Sequence, residues 1–167
     1  MQTKIITLLS AFLLFSCGSK KSDVTTTKRQ TITTSIEKNN SVTIKSIAFE
    51  RKACYGTCPV FKLSIREDNT ATFEGIKYTK FIGKATKKLP DATFKKVAKQ
   101  LVEMKIKNLK NNYAINRTDH ATAILTISFE DGTQKIITDY GLEGTPELKR
   151  LYAELTKIGT TTNWKAP

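Results

Sequence analysis

The sequence predicts an α+β domain, a two-layer sandwich in which an antiparallel sheet of about five to six strands carries two helices on one face. Three observations predict it. Apolar and polar residues alternate through several short runs, turns containing Asp separate those runs in pairs, and the apolar period becomes helical twice, before residue 105 and after residue 145. The order strands, helix, strands, helix segregates the helices to one face of an antiparallel sheet instead of interleaving them with parallel strands.

The first strand is Val42 to Glu50, VTIKSIAFE. Val42 and Ile44 share one parity and Ile47 and Phe49 the other, so the strand is expected to carry a bulge. Phe61, Leu63 and Ile65 then alternate with Lys62, Ser64 and Arg66 as a half-buried strand. Asp68-Asn69 supplies turn chemistry, and Ala71 and Phe73 continue the apolar face as far as Gly75. Ile76 to Gly83 is expected to add another strand. In PDATFKKVAKQLVEM the period changes: Phe94, Val97, Ala98, Leu101 and Met104 or Val102 mark one helical face, and Lys95, Lys96, Lys99 and Glu103 the other. Pro90 suits the first turn of that helix and Asp91 its cap or dipole.

Residues 105 to 120 predict nothing regular. A second hairpin follows, with Ala123, Leu125, Ile127 and Phe129 alternating, Asp131-Gly132 turning the chain, and Ile136 or Ile137 on the return strand. The last helix has the fullest signals. Thr145 caps it, Pro146 takes the first helical position and Glu147 favours the positive end. Leu148, Leu151, Tyr152, Leu155 and Ile158 form the apolar stripe, and Gly159 is expected to end it.

The ends divide the chain further. Residues 1–16 read as an export signal: Lys4 precedes the apolar run IITLLSAFLLF, too short for a spanning helix of about 20 residues. Leu14-Phe15-Ser16-Cys17 resembles the lipobox of bacterial lipoproteins, which implies a diacylglyceryl thioether on Cys17, cleavage before it and acylation of the new amino terminus. Gly18, in place of an acidic residue, suits an outer-membrane destination. Residues 18–41 are polar and rich in Thr and Lys, and cannot bury enough surface to order themselves. They read as a flexible tether with a reach of roughly 28 Å. Residues 42–159 form the single domain, and residues 160–167 a loose tail.

Lys and Arg number 28 against 15 Asp and Glu, a formal net charge of +13. The basic residues are spread along the chain without aromatic interleaving, so a nucleic-acid partner is not expected. They suit anionic surfaces instead, and Lys20-Lys21 and Lys28-Arg29 lie beside the anchor, where anionic headgroups attract basic segments.

The stretch RKACYGTCPVF carries the chemistry. With Cys17 consumed by lipid, Cys54 and Cys58 are the remaining thiols of the mature chain. In an oxidising compartment two cysteines in one loop join, and Gly56 between them permits the bend. A structural staple is the expected reading. A redox couple is the first rival, although Pro59 leads into an alternating strand pattern where such couples normally open a helix. Copper is the second: C-x-x-x-C-P resembles the motif of copper-delivering proteins of the cytochrome-oxidase-synthesis type, with His120 as the third ligand, and thiolates suit Cu(I). Zinc lacks a fourth ligand.

Asp119-His120 has the composition of a general-base pair, but no nucleophile motif, second histidine or phosphate loop accompanies it. No catalytic residue and no cofactor is therefore assigned. A ligand held by the hairpin loops would require Tyr55, Asp119, His120 and Asp139 to converge on one rim.

Taken together, Cys54-Tyr55-Gly56-Thr57-Cys58-Pro59, Asp68-Asn69-Thr70, Phe73-Glu74-Gly75, Thr118-Asp119 and Asp139-Tyr140-Gly141 are similar to the family catalogued as domain of unknown function 6438, across roughly residues 44 to 158. That family more often shows Asp-Gly where this chain has Asp68-Asn69. The resemblance implies a secreted or lipid-anchored bacterial domain and brings no catalytic residues. The expectation is a lipid-anchored envelope protein whose domain binds an anionic envelope component or another envelope protein, with thiol–disulfide or copper handling by Cys54 and Cys58 as the alternative.

Overall fold

The computed structural model describes residues 42–166. The export signal, Cys17 and the tether lie outside the described residues. Seven strands and two helices follow one another: β1 (Ile44–Arg51), β2 (Val60–Arg66), β3 (Thr70–Lys77), β4 (Gly83–Lys88), α1 (Thr93–Glu103), β5 (Asn112–Ala114), β6 (Thr122–Phe129), β7 (Gln134–Tyr140) and α2 (Pro146–Thr161). The sheet order is β4-β3-β2-β1-β6-β7-β5. Every pairing is antiparallel except that of β5 with β7. The α+β sandwich is the architecture the alternation predicts, with one or two strands more.

β1 is the centre of the sheet. Ile47 lies between Ile65 of β2 and Ile127 of β6, and Phe49 between Leu63 and Leu125. These side chains are all buried, on the face that receives the helices. The register slips between Ile44 and Ser46 where β1 meets β6. This bulge returns Ile44 to the buried side despite its parity. Tyr152 of α2 stacks on Phe49 with centroids 5.6 Å apart, and Phe94, Val97 and Leu101 of α1 enter the same core. Glu154 ties the helices together, accepting from Lys96 Nζ at 2.8 Å and Gln100 Nε2 at 2.6 Å.

Four local expectations need correction. Tyr78 to Ile82 form a turn, with Tyr78 left-handed (φ 56), and the edge strand begins only at Gly83. The return is so close that a Cβ on Gly75 would lie 1.9 Å from the Phe81 carbonyl oxygen. Second, α1 starts at Thr93 and not at Pro90, because Ala92 is left-handed (φ 67) and breaks the helical run between them. Its cap comes from elsewhere: Asn69 Oδ1 accepts the Phe94 N–H at 2.8 Å. Third, residues 112–114 make the parallel strand β5, too short for any periodicity to reveal.

Fourth, α2 does not end at Gly159. It runs on to Thr161, and Gly159 serves packing: a Cβ there would meet the Phe61 ring at 2.8 Å. The segment after it is docked as far as Trp164, whose ring stacks on Phe73 at 4.8 Å and whose Nε1 donates to the Gly159 carbonyl at 2.8 Å. One aromatic ring with a satisfied N–H is enough to hold so short a segment against the core.

Candidate functional site at the cysteine-loop end of the sheet

The alternation of strand directions gathers four connections at one end of the sheet: β1–β2 (residues 52–59), β3–β4 (78–82), β5–β6 (115–121) and β7–α2 (141–145). The first carries the cysteines. Cys54 and Cys58 are joined, with Cα atoms 5.8 Å apart. Gly56 bends the loop at φ 154, a conformation that side chains disfavour, and its N–H donates to the Cys54 carbonyl at 3.0 Å. Lys52 N–H donates to the Thr122 carbonyl at 2.9 Å and Tyr55 N–H to the Asp119 carbonyl at 3.2 Å. The loop is thus fixed internally by the disulfide and laterally to the chain entering β6. Tyr55 projects from it 88% exposed.

After Cys58 and Pro59 the chain enters β2 directly. The pair therefore stands at the start of a strand, without the helix N-terminus that lowers a thiol pKa in catalytic couples.

The neighbouring connection brings in Asp119 and His120. Asp119 is left-handed (φ 69) and accepts from Thr118 Oγ1 at 3.0 Å. His120 N–H donates to Tyr140 Oη at 3.2 Å, and its ring lies edge-on to Tyr140 with centroids 6.4 Å apart. Tyr55, Asp119 and His120 consequently occupy adjoining loops at one rim.

Asp139 does not join them. It is 1% exposed and points to the helix side, where its carboxylate accepts the Gly144 N–H at 2.8 Å and the Glu143 N–H at 3.3 Å. Parity is the reason, since Asp139 shares the face of Ile137. Its role is to fix the turn into α2. A Cβ on Gly144 would sit 2.7 Å from Asp139 Oδ2 and 2.6 Å from the Tyr113 ring, so the turn closes only around glycine. The buried Tyr152 phenol is held firmly protonated, first by burial and then by the nearby Asp139 carboxylate.

Arg51 closes β1 on the same buried side. Its Nη1 donates to Thr156 Oγ1 at 3.2 Å, and burial lowers its pKa. Among the described residues no three His, Cys, Asp or Glu side chains gather as a metal set.

Two features here escaped the sequence reading. The first is the helix-free face of the sheet, a groove of about 440 Å³ floored by small residues, among them Ala48, Ser64, Thr72 and Thr126. One wall is a charged row across four strands, in which Lys84 pairs with Glu74, Glu74 with Lys62 and Lys62 with Glu50. Lys62 and Glu50 are 3.8 Å apart, Lys84 and Glu74 3.9 Å. Their even numbers, opposite the buried odd positions, were the signal available. The second is an exposed apolar group, Ile76, Tyr78 and Ile82, at the β3–β4 connection. Their spacing imitates a strand, which hid it.

No curated protein shows significant similarity to the chain. The profile of a family described as a domain of unknown function, DUF6438, matches residues 45–159, from the second residue of β1 to the glycine of α2 that touches Phe61. That span holds all seven strands except the first residue of β1 and covers well over half of the chain. The chain belongs to the DUF6438 family.

Proposed function

We propose that this is a lipid-anchored bacterial envelope protein, held by acylated Cys17 at the outer membrane, whose domain is a non-catalytic binding module. Its recognition edge is the cysteine-loop end of the sheet, with Tyr55, Asp119 and His120 at the rim and without the buried Asp139, and its partner an anionic envelope component or another envelope protein. One observation carries the reading: the Cys54–Cys58 pair closes a loop that opens onto a strand and presents Tyr55 to solvent. A disulfide used in this way fixes a contact residue before binding, which reduces the entropy lost on association.

A second reading, thiol–disulfide or copper handling, is favoured by the Tyr55–Asp119 backbone bond, which sets the loop of His120 against the cysteine loop. A competition experiment separates the two. The chain from residue 18 onward is reduced and titrated with Cu(I) against a chromogenic chelator. The binding module leaves the metal on the chelator. Transfer of one equivalent, abolished by Cys54→Ser and weakened by His120→Ala, would establish the copper reading.

A further inference from the structure

Four large apolar side chains stand exposed at one end of the sheet. Tyr55 is on the cysteine loop, and Ile76, Tyr78 and Ile82 lie at the β3–β4 connection, with exposures from 46% to 88%. Only Val102 and Ile136 are comparably exposed elsewhere among the described residues. The clustering follows from topology, because β3 ends beside the start of β2, where Val60 pairs with Lys77. Ile76 and Ile82 directly extend the Gly75–Gly83 pair that closes the β3–β4 ladder. No buried area is gained by leaving these residues in water, and a polar turn would close the same hairpin.

Positive charge surrounds the β3–β4 part of this group. Lys77 lies over the Tyr78 ring, 4.8 Å from its centroid, and Lys80 is exposed in the same turn. Of the nearby carboxylates, Glu50 is engaged by Lys52 at 2.7 Å and by Lys62, and Glu74 by Lys84, while Asp119 beside Tyr55 accepts from Thr118 Oγ1. An isolated apolar tip ringed by lysines matches the interface of a bilayer, where aliphatic side chains enter the acyl boundary, tyrosines sit at headgroup level and lysines reach anionic headgroups.

We infer that Tyr55, Ile76, Tyr78 and Ile82, with Lys77 and Lys80, form a membrane-contacting tip that docks the domain onto an anionic bilayer surface. The inference rests on the binding-module reading and names its partner as the lipid surface itself. The described chain begins at the opposite end of the sheet, where β1 starts, and an eight-residue strand spans about 26 Å. The 24 positions from 18 to 41 can span at most about 80 Å, a length that permits the tip to face the membrane holding Cys17. Each contact then forms at the high effective concentration that anchoring supplies.

The test uses the chain from residue 18 onward, which contains the whole core, with vesicles of phosphatidylglycerol and phosphatidylethanolamine or of phosphatidylcholine alone. Flotation is expected to show binding to the anionic vesicles at least tenfold above the neutral ones. The combined Tyr55→Ser, Ile76→Ser, Tyr78→Ser, Ile82→Ser variant should lose at least tenfold of it, and Lys77→Glu with Lys80→Glu a similar factor. Lys95→Glu with Lys99→Glu, on the exposed side of α1, should change binding less than twofold. Emission from Trp164 verifies folding in each variant. The inference is overturned by absence of binding to anionic vesicles, by equal loss in the α1 variant, or by the four apolar residues holding a protein partner while vesicles are ignored. A stable, copper-indifferent disulfide with no vesicle binding removes the membrane contact and leaves the binding module standing.

Discussion

Asn69 caps a helix that begins 24 positions after it. Its Oδ1 accepts the Phe94 N–H at 2.8 Å, and its own carbonyl accepts the Leu89 N–H at 2.9 Å, so the β2–β3 turn holds both the approach to α1 and its first turn. The left-handed backbone of Asn69 (φ 63) aims the side chain there. Asn69→Gly keeps the backbone comfortable and removes only the cap. It should cost about 1 kcal/mol in a denaturant titration. Asn69→Ala adds left-handed strain and should cost about 1 kcal/mol more. An Asn69→Gly variant as stable as the original chain would show that the cap contributes nothing, and equal costs for the two variants that the left-handed strain does not.

Asp139 is expected to be a folding residue. Removing its carboxylate leaves the Gly144 and Glu143 N–H groups without their acceptor beneath α2. Asp139→Ala should destabilise by about 2–4 kcal/mol, since two donors lose their partner, one of them the shorter and better placed. Denaturant midpoints measure it. A change below about 0.5 kcal/mol (about half of one average hydrogen bond) would return Asp139 to the ligand candidates.

Glu154 gives a pH signature. Burial alone would raise its carboxyl, but the Gln100 hydrogen bond and the charges of Lys96 and Lys157 together outweigh this and hold it below the usual carboxylate range. A depressed folded pKa stabilises above the unfolded value, near 4.3, and that stability is lost as pH falls through the folded value. Glu154→Gln should therefore cost about 0.5–1 kcal/mol at pH 7 and progressively less as the pH falls through the folded value, as expected for a partly exposed tie. A cost independent of pH would point to packing instead of charge.

Trp164 is the only tryptophan in the chain, so its fluorescence reports the C-terminal segment directly. Stacked on Phe73 and buried, it should emit in the blue and shift red only with global unfolding. Truncation after residue 161 should destabilise the domain by about 3–5 kcal/mol, the usual consequence of deleting a buried aromatic. A red-shifted native spectrum would mean that the segment is undocked.

These residues also show what the sequence could convey. Alternation in β2, β3 and β6 and the stripe of α2 are local patterns with one burial solution, and the fold class follows from them. Asp139 was legible by parity from Ile137, but a carboxylate on an apolar face reads as an outlier until its two backbone donors are seen. The Asn69 cap, the role of Gly159 against Phe61 and the docking of Trp164 depend on residues far apart in the chain, which no periodicity encodes. The rim was half legible: its loops are marked by cysteine, glycine and aspartate, whereas their convergence comes from strand order. The apolar tip was concealed because Ile76, Tyr78 and Ile82 alternate as a strand would.

The central claim is that Cys54 and Cys58 build a surface and do no chemistry. A redox titration of the chain from residue 18 onward, by thiol alkylation and mass spectrometry, tests it most directly. Closing a loop of about five residues is worth roughly 2 kcal/mol, and the account predicts a pair that stays oxidised below about −300 mV, with stability lost on reduction. A potential near −200 mV with a fold indifferent to reduction would contradict it, and would make the cysteine loop an active site with His120 as the next residue to change.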